Sequence, residues 1–309
     1  MMQKNDVLTG LVTKIGYNGE GIVKIGGTVI FVPFALVNEE ISFKILKVKG
    51  NVAYGKLLEV LKPQKERVEP KCAVFGKCGG CQLQHLSYED QIGVKAETVS
   101  DCFKKIAGLS VEIEKKVPSP LSYGYRNKLQ LPVRMEKGKV KVGFFRENSH
   151  DIVETDDCPL QPDWAAKVIS TVKNFIASSK ISCYDEASGK GLLRHVIVRE
   201  SNGVFLVTVV FNGRAKKFVN GLIEAFSSIF DRFSLIENVN ERSDNVILGD
   251  EFNILYGSGK ISLEEFGVRY ELGARSFYQV NTFIKTEIYN DVLGSSLIDG
   301  GTFVIDAYS

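Results

Sequence analysis

The chain has 309 residues, a formal net charge of +2, 44% hydrophobic residues and 25% charged residues. These values are ordinary for a globular protein, and at this length about two domains are expected. Residues 1–10 lack the apolar segment of a signal peptide, and no apolar run approaches the roughly 18 residues of a membrane helix. We therefore expect a soluble intracellular protein, located in the cytoplasm and monomeric.

The charge is unevenly distributed along the chain. Residues 44–77 hold nine Lys or Arg and only three Glu, which leaves a local charge of +6. Such a run is most often a solvated face of the protein. Beside a small β-barrel it also suits contacts with phosphate groups.

Residues 7–60 have the pattern of a small β-barrel. Five short segments rich in β-branched and aromatic residues alternate with turns that contain Gly, Asn or Glu. Five strands in this length predict a closed or nearly closed barrel of the OB type, as a first domain over residues 1–62. Such barrels often bind single-stranded RNA or DNA, and a generic barrel for any partner is the alternative.

The segment CAVFGKCGGC places three thiols within ten residues, at Cys72, Cys78 and Cys81, and Cys158 follows in DDCPLQP. Thiols gathered this densely in a chain without secretory features indicate a metal or cluster site rather than disulfides. Structural zinc usually joins two close cysteine pairs, and here the second pair is missing. Three local cysteines and one distant Cys-Pro suit a [4Fe–4S] cluster better, with zinc and unligated thiols as the alternatives.

After a linker (residues 61–71) and the cysteine segment, Ser87 and Asp90 form a capping box that opens a helix over residues 87–107. Apolar residues at steps of three and four predict one packed face, which also holds Cys102. The residues of this stripe are Tyr88, Ile92, Ala96, Val99, Phe103 and Ile106. The helix carries no residues that suggest chemistry, and it is a candidate to pack on a later domain.

Residues 63–265 are predicted to form a central α+β domain built on hairpins, without the rhythm of a parallel sheet. Strand pairs flank the turns EKGK and Ser201-Asn202-Gly203, and helical patterns fit residues 162–178 and 215–229. The string YGYRNK interleaves tyrosines with Arg126 and Lys128, residue types that stack on bases and pair with phosphates. Exposed strand ends are the alternative interpretation.

The sequence pattern changes in residues 266–309. GARSFYQVN leads into a helical pattern and then into an apolar strand from Thr302 to Ile305, followed by Asp306. A Rossmann-like α/β domain begins in this way, with a glycine-rich turn after its first strand. We therefore expect residues 266–309 to be the start of such a domain in a chain that is truncated at its C-terminus.

Together these strings resemble the RNA (uracil-5-)-methyltransferases of the TRAM-containing class, which modify ribosomal and transfer RNA. The barrel looks like a TRAM domain, CAVFGKCGGCQLQHLSYEDQ like the cluster segment, and YGYRNK, VGFFRENSH and CPLQP like parts of the central domain. LLRH, SFYQVN and DAYS resemble further family strings. The resemblance covers essentially the whole chain and implies a multidomain α+β fold: a TRAM barrel, a central domain with a four-cysteine cluster loop, and the start of a Rossmann-like methyltransferase domain.

The resemblance assigns roles by position. Gln279 in SFYQVN and Tyr308 in DAYS match residues that bind S-adenosylmethionine. The positions that match the [4Fe–4S] ligands are Cys72, Cys78, Cys81 and Cys158. The family's catalytic cysteine and general base lie beyond Ser309, so no catalytic residue is assigned.

The implied reaction is methylation of carbon 5 of a uridine in RNA, with ribosomal RNA ranked ahead of transfer RNA. A cysteine thiolate adds to carbon 6 and makes carbon 5 nucleophilic, and a base later removes the carbon 5 proton. The 309 residues alone are expected to be inactive. The alternative is a non-catalytic RNA-binding module that carries an iron–sulfur cluster, and a zinc-ribbon RNA-binding protein ranks third.

Overall fold

The computed structural model describes residues 2–306, which form two compact units. The first unit comprises the residues up to 116 together with 144–153, and the second comprises 117–143 together with the residues from 154 onward. The predicted boundaries after residues 62 and 265 do not coincide with this division. The reason is that the segments after the barrel pack against it, since Leu86 and Val94 contact Ile15 and Leu36.

The first unit begins with a closed five-stranded barrel in the order β1-β2-β3-β5-β4, as the sequence predicts. Its strands are antiparallel to their neighbours except for β3 and β5, which run parallel. The strands are β1 (Val7–Ile15), β2 (Gly21–Ile25), β3 (Thr28–Val32), β4 (Glu40–Lys49) and β5 (Val52–Lys62). Ile41, Phe43 and Ile45 of β4 are fully buried, because alternate residues of a strand face the barrel interior.

An ion pair joins the linker to the barrel. The Glu39 side chain is fully buried and accepts hydrogen bonds from Arg67 Nε at 2.6 Å and Nη2 at 2.7 Å, and from the Leu36 N–H at 2.8 Å. Arg67 Nη2 also donates to the carbonyl of Phe34 at 2.8 Å. Burial raises the pKa of Glu39, but the hydrogen bonds from Arg67 and Leu36 outweigh it and hold the pKa below its ordinary value.

Helix α1 (Tyr88–Cys102) follows the cysteine segment and begins as predicted, with Ser87 Oγ accepting from the Asp90 N–H at 3.2 Å. It continues as one π-helical turn over Phe103–Ala107 and ends at Gly108, whose φ of 69° is left-handed. The prediction of a packed apolar stripe is wrong for its C-terminal half. Val99, Phe103 and Ile106 are exposed, and Cys102 is only half-buried. The apolar contact of the helix with its own unit is made by Val94 in its middle, whereas Asp101 near its C-terminus forms an ion pair with Lys14 of β1.

The second unit is built on a seven-stranded sheet in the order β12-β11-β10-β9-β6-β7-β8. The chain passes into the first unit within β7 and returns within β8. The strands are β6 (Lys128–Glu136), β7 (Lys139–Phe145), β8 (Ile152–Glu154), β9 (Leu193–Ser201), β10 (Val204–Phe211), β11 (Phe233–Val239) and β12 (Glu251–Tyr256). Both predicted hairpins, β6–β7 and β9–β10, are confirmed.

Two helices accompany this sheet, α2 (Trp164–Ser179) and α3 (Val219–Ser227), in agreement with the helical patterns. Phe175 of α2 and Phe226 of α3 line a small cavity together with Val196 of β9 and Val209 of β10. The sequence shows no rhythm of a parallel sheet, and the seven-stranded sheet contains one parallel pair, β10 and β11. The connection between them contains α3, and a helical crossover is the usual way to join parallel neighbours.

A further hairpin and a last helix follow the sheet: β13 (Ile261–Glu265), β14 (Val268–Leu272) and α4 (Thr282–Leu293). The predicted strand from Thr302 to Ile305 is not formed, and this segment is exposed. A strand needs a hydrogen-bonded neighbour, and no strand within residues 2–306 pairs with it. Over the same residues, no helix is both long and apolar enough to span a membrane.

Candidate functional site

The structure brings together two motifs that lie far apart in the sequence, YGYRNK and SFYQVN. Asn127 Nδ2 donates to the Gln279 carbonyl at 2.8 Å, and the Asn127 N–H donates to the Val280 carbonyl at 3.0 Å. Arg126 forms a β-bridge with Asn281. Residues 126–128 therefore run alongside residues 279–281, and we call this region the paired-motif site.

The paired-motif site gathers three cations. Arg126 and Lys128 are both half-buried, and Arg199 of β9 is buried with its Nη2 donating to the Ser276 carbonyl at 2.7 Å. Burial lowers the pKa of Lys128, and the positive charges of Arg199 and Arg126 lower it further. Arg199 Nη1 is buried without a hydrogen-bond partner in the described part of the chain. This concentration of positive charge suits an anionic ligand such as a phosphate.

Within SFYQVN, consecutive side chains face in opposite directions. Phe277 is 83% exposed and Gln279 is exposed, whereas Tyr278 between them is buried. The hydroxyl of Tyr278 donates to Glu265 at 3.1 Å and accepts from Lys285 Nζ at 2.9 Å. Tyr278 thus anchors the motif to the hairpin and to α4, and it leaves Gln279 available to a ligand.

The anchor is a small buried network around the carboxylate of Glu265. Lys285 of α4 is 3% exposed and donates to Glu265, and Tyr270 of β14 donates to the same carboxylate. Burial lowers the pKa of Lys285, but its hydrogen bond with Glu265 outweighs this effect and raises the pKa above the ordinary value. Asn281 caps the same helix by accepting from the Ile284 N–H at 3.2 Å.

Of the two predicted S-adenosylmethionine residues, only Gln279 can be described, because Tyr308 lies outside residues 2–306. Next to the backbone of Gln279, the side-chain oxygen of Asn127 is buried without a hydrogen-bond partner in the described residues. The exposed carboxamide of Gln279 can both donate and accept hydrogen bonds, which suits the amino and carboxylate groups at the amino-acid end of S-adenosylmethionine. The chemistry of this side chain is compatible with that ligand.

The four predicted cluster ligands are divided between the units: Cys72, Cys78 and Cys81 lie in the first and Cys158 in the second. The Gly80 N–H donates to Cys78 Sγ at 3.4 Å, and Gln84 Nε2 donates to Cys81 Sγ at 3.1 Å. Within residues 2–306, the structure assembles no group of three or more His, Cys, Asp or Glu side chains that could hold a metal ion. The described residues therefore give no support to a four-cysteine cluster, and no chemical step is derived through one.

The tight cysteine loop depends on a glycine at residue 79. A Cβ at Gly79 would lie 2.7 Å from the backbone nitrogen of Glu147, and the Gly79 N–H donates to the Phe145 carbonyl at 2.9 Å. Cys78 forms a β-bridge with Arg146. The loop is thus held against residues 144–153 of the same unit by backbone contacts that a side chain at residue 79 would disrupt.

Comparisons with known proteins agree with this architecture. The TRAM domain model matches residues 3–58, the barrel. A protein of Clostridium tetani named an uncharacterized RNA methyltransferase is 38% identical over 99% of this chain and 67% of its own length. A Staphylococcus aureus protein of the same description is 36% identical over 99% of this chain and 68% of its own length. The chain belongs to the TRAM-domain-containing RNA uracil methyltransferase family. It spans about two thirds of the length of these relatives.

A solved structure extends the likeness to this family's fold. The Pyrococcus abyssi tRNA (uracil-54, C5)-methyltransferase, in complex with S-adenosyl-L-homocysteine, superposes with a TM-score of 0.72 and 28% identity. The match covers 94% of this chain and 65% of that protein.

Sequence reasoning missed three residues of the paired-motif site: Asn127, Arg199 and Lys285. Asn127 lies inside the quoted motif, but its partner Gln279 is 152 residues away. A signal for Arg199 and Lys285 was present in principle, because each is a cation that follows apolar residues in a strand or helix pattern, VIV before Arg199 and FI before Lys285. Charged residues at such positions are rarely buried unless they are paired.

Proposed function

We propose that this chain serves in the S-adenosylmethionine-dependent methylation of carbon 5 of a uridine in RNA. The observation that carries the proposal is the match over 99% of the chain to relatives named RNA methyltransferases. The likeness to a tRNA (uracil-54, C5)-methyltransferase supports the choice of base and atom. The paired-motif site supports it chemically, because it sets Gln279 beside a cluster of cations.

In this proposal the residues of the paired-motif site have two different tasks, binding of RNA and binding of the methyl donor. Arg126, Lys128 and Arg199 attract and orient the RNA backbone, since phosphate contacts position a nucleic acid without reading its sequence. Gln279, fixed through its backbone by Asn127, contacts the methyl donor. S-adenosylmethionine supplies an electrophilic methyl group when it is bound.

We propose that none of the chain's cysteines is the nucleophile that activates carbon 5. Burial raises the pKa of the Cys183 thiol to about 11, which keeps it protonated at neutral pH. Cys102 lies half-buried at the end of α1, and the remaining four cysteines are the predicted cluster ligands. Addition to carbon 6 needs a thiolate, so the 309-residue chain by itself is expected to show no turnover.

Two finer points stay predictions. Ribosomal RNA is ranked ahead of transfer RNA from the sequence, whereas the solved relative is named as a methyltransferase of tRNA.

The [4Fe–4S] cluster rests on the cysteine spacing alone, and a non-catalytic cluster-bearing RNA-binding module remains the alternative function. Iron and acid-labile sulfide in anaerobically purified protein, lost in Cys81→Ser, would support the cluster, whereas zinc without iron would exclude it. The cytoplasmic location and the monomeric state are likewise still predictions.

RNA binding by the paired-motif site can be tested directly. We expect the chain to bind unstructured RNA with an affinity that falls steeply as salt rises, because neutralised phosphates release their counterions. Arg126→Ala and Lys128→Ala should each weaken binding several-fold and lower the salt slope by about one. Fluorescence anisotropy of labelled RNA at several salt concentrations measures both quantities.

Lys139→Ala is the matched control. Lys139 begins β7 opposite Glu136 at the far end of β6, about 26 Å along the strand from Lys128 at 3.3 Å per residue. Affinity in this control should equal that of the wild type. If Arg126→Ala and Lys128→Ala also bind RNA with the affinity of the wild type, neither residue contributes to RNA binding, and both are simply strand-end residues.

A further inference from the structure

The first unit contains a cavity of about 400 Å³ between the barrel, the linker and the cysteine segment. It is separate from the paired-motif site, which lies in the second unit. The barrel contributes Phe34 and Leu57, the linker contributes Arg67, and the cysteine segment contributes Phe75. A volume of this size is in the range of pockets that bind small organic molecules.

The wall of this cavity is aromatic. Phe34 and Phe75 meet edge to face with ring centroids 5.2 Å apart, and His85 packs on both, at 6.1 Å from Phe34 and 5.4 Å from Phe75. Gly76 lies against the Phe34 ring, 3.9 Å from where its Cβ would be. Rings of this kind offer flat surfaces for stacking.

The backbone of Phe34 is strained in a way that places its ring in this wall. Its φ is 67°, in the left-handed region that bulky residues seldom adopt. The Arg67 guanidinium holds that conformation by donating to the Phe34 carbonyl while it pairs with Glu39. Residues held in strained backbone conformations cluster at active sites and ligand-binding sites.

Three polar side chains line the cavity, Arg67, Glu69 and His85, and only His85 among them is buried. Its side chain is 1% exposed, and neither ring nitrogen has a hydrogen-bond partner among residues 2–306. Burial, assisted by the charge of Arg67, lowers its pKa to about 4 against the opposing effect of Glu39. At neutral pH the imidazole is therefore uncharged and offers one donor and one acceptor. Leaving both unsatisfied is costly in a protein interior, so a ligand that pairs with them would be favoured.

We propose that this cavity binds one unstacked nucleobase of single-stranded RNA. The base would lie against Phe34 or Phe75, as bases do on aromatic side chains, and its edge would exchange hydrogen bonds with His85. Most of the residues that line the cavity belong to the basic stretch 44–77, whose nine Lys or Arg against three Glu favour a polyanion such as RNA. This inference rests on the proposed RNA-binding function but concerns a different surface from residues 126–128.

The chain has three histidines, so histidine NMR gives a direct readout. Ring-labelled protein is titrated with adenosine and uridine 5′-monophosphates, and then with a short unstructured oligonucleotide. The signals of His85 should shift saturably, whereas those of His195, which is buried in the second unit, should stay in place. The oligonucleotide should saturate at lower concentration than either mononucleotide, because only RNA also reaches the basic stretch.

Phe75→Leu removes one ring and keeps an apolar side chain of similar bulk. It should weaken nucleotide and oligonucleotide binding about tenfold, as expected when one stacked base is lost. Phe103→Leu replaces an exposed aromatic residue of the same unit and should leave binding unchanged. Unchanged hydrogen exchange of the barrel amides in both variants shows that the unit still folds, and His85→Gln gives a second, independent perturbation of the cavity.

The outcomes separate this inference from the proposed function. If Arg126→Ala weakens RNA binding but Phe75→Leu and His85→Gln bind as the wild type does, the cavity is not a base pocket and the proposed function stands. If the His85 signals respond to an acidic or apolar peptide and not to nucleotides, the cavity is a protein-docking site and the inference is overturned. If the wild type binds no RNA at all, the proposed function fails together with it.

Discussion

Arg67→Met should lower the free energy of unfolding of the barrel by about 3 to 5 kcal/mol, the cost of leaving a buried charge without its partner. The carboxylate of Glu39 is fully buried and receives two of its hydrogen bonds from Arg67. Methionine keeps the length of the side chain but donates no hydrogen bond. Hydrogen exchange of the barrel amides measures this free energy in the first unit alone, without a two-state assumption for the whole chain.

Two further variants test the cause. Glu39→Leu combined with Arg67→Met removes both charges and should recover most of the lost stability. Lys65→Met removes a partner of the exposed Lys65–Glu66 pair, whose lysine side chain is 91% exposed, and should change stability by less than about 1 kcal/mol. Equal losses in Arg67→Met and Lys65→Met would contradict the role of the buried pair.

The Glu39–Arg67 pair also makes the stability of the barrel depend on pH, and the pKa of Glu39 sets the direction of that dependence. The folded-state pKa of Glu39 lies below its ordinary value of 4.5. The pair therefore contributes its full stability above about pH 4.5 and loses it as the pH falls through the lowered pKa. Arg67→Met should flatten the acid limb of the barrel's stability profile.

Lys285→Met should lower the local stability of the hairpin β13–β14 and of helix α4 by about 2 to 4 kcal/mol. The ammonium of Lys285 is buried and donates to both Glu265 and the hydroxyl of Tyr278. Its loss leaves the Glu265 carboxylate with only tyrosine donors. Faster hydrogen exchange in residues 261–293 is the expected readout, and RNA binding should also weaken because Tyr278 positions SFYQVN.

Lys260→Met is the control on the same hairpin, since Lys260 pairs with Glu271 in a largely exposed ion pair. It should change exchange in residues 261–293 only slightly. The pKa of Lys285 is raised above its ordinary value of 10.5, so its contribution is complete below that pH and is lost as the pH rises through the raised pKa. Identical exchange in Lys285→Met and the wild type would show that the network does not hold the helix.

The local patterns of this sequence predicted the elements well because local physics decides them. Alternating apolar residues specified the five barrel strands, and Ser87 specified the start of α1. Asn202 and Gly203 both have positive φ, at 51° and 71°, as a tight two-residue hairpin turn requires. These features depend on residues that are neighbours in the chain.

Features that depend on distant partners were not predictable in the same way. The strand expected from Thr302 to Ile305 has the right composition but no described strand beside it. The stripe of α1 has helical periodicity, yet Phe103 and Ile106 stay exposed, because periodicity does not show what a helix packs against. The contact of Asn127 with Gln279 and the grouping of Phe34 with His85 likewise arise only from the tertiary fold.

The most direct test of the account is the content of 5-methyluridine in the RNA of the natural host after deletion of the gene that encodes this chain. Ribosomal and transfer RNA are separated, digested to nucleosides and analysed by mass spectrometry, with a plasmid copy of the gene as the control. We predict loss of 5-methyluridine from one RNA class, with ribosomal RNA ranked first, and its return with the plasmid. Unchanged 5-methyluridine in both classes would contradict the proposed function.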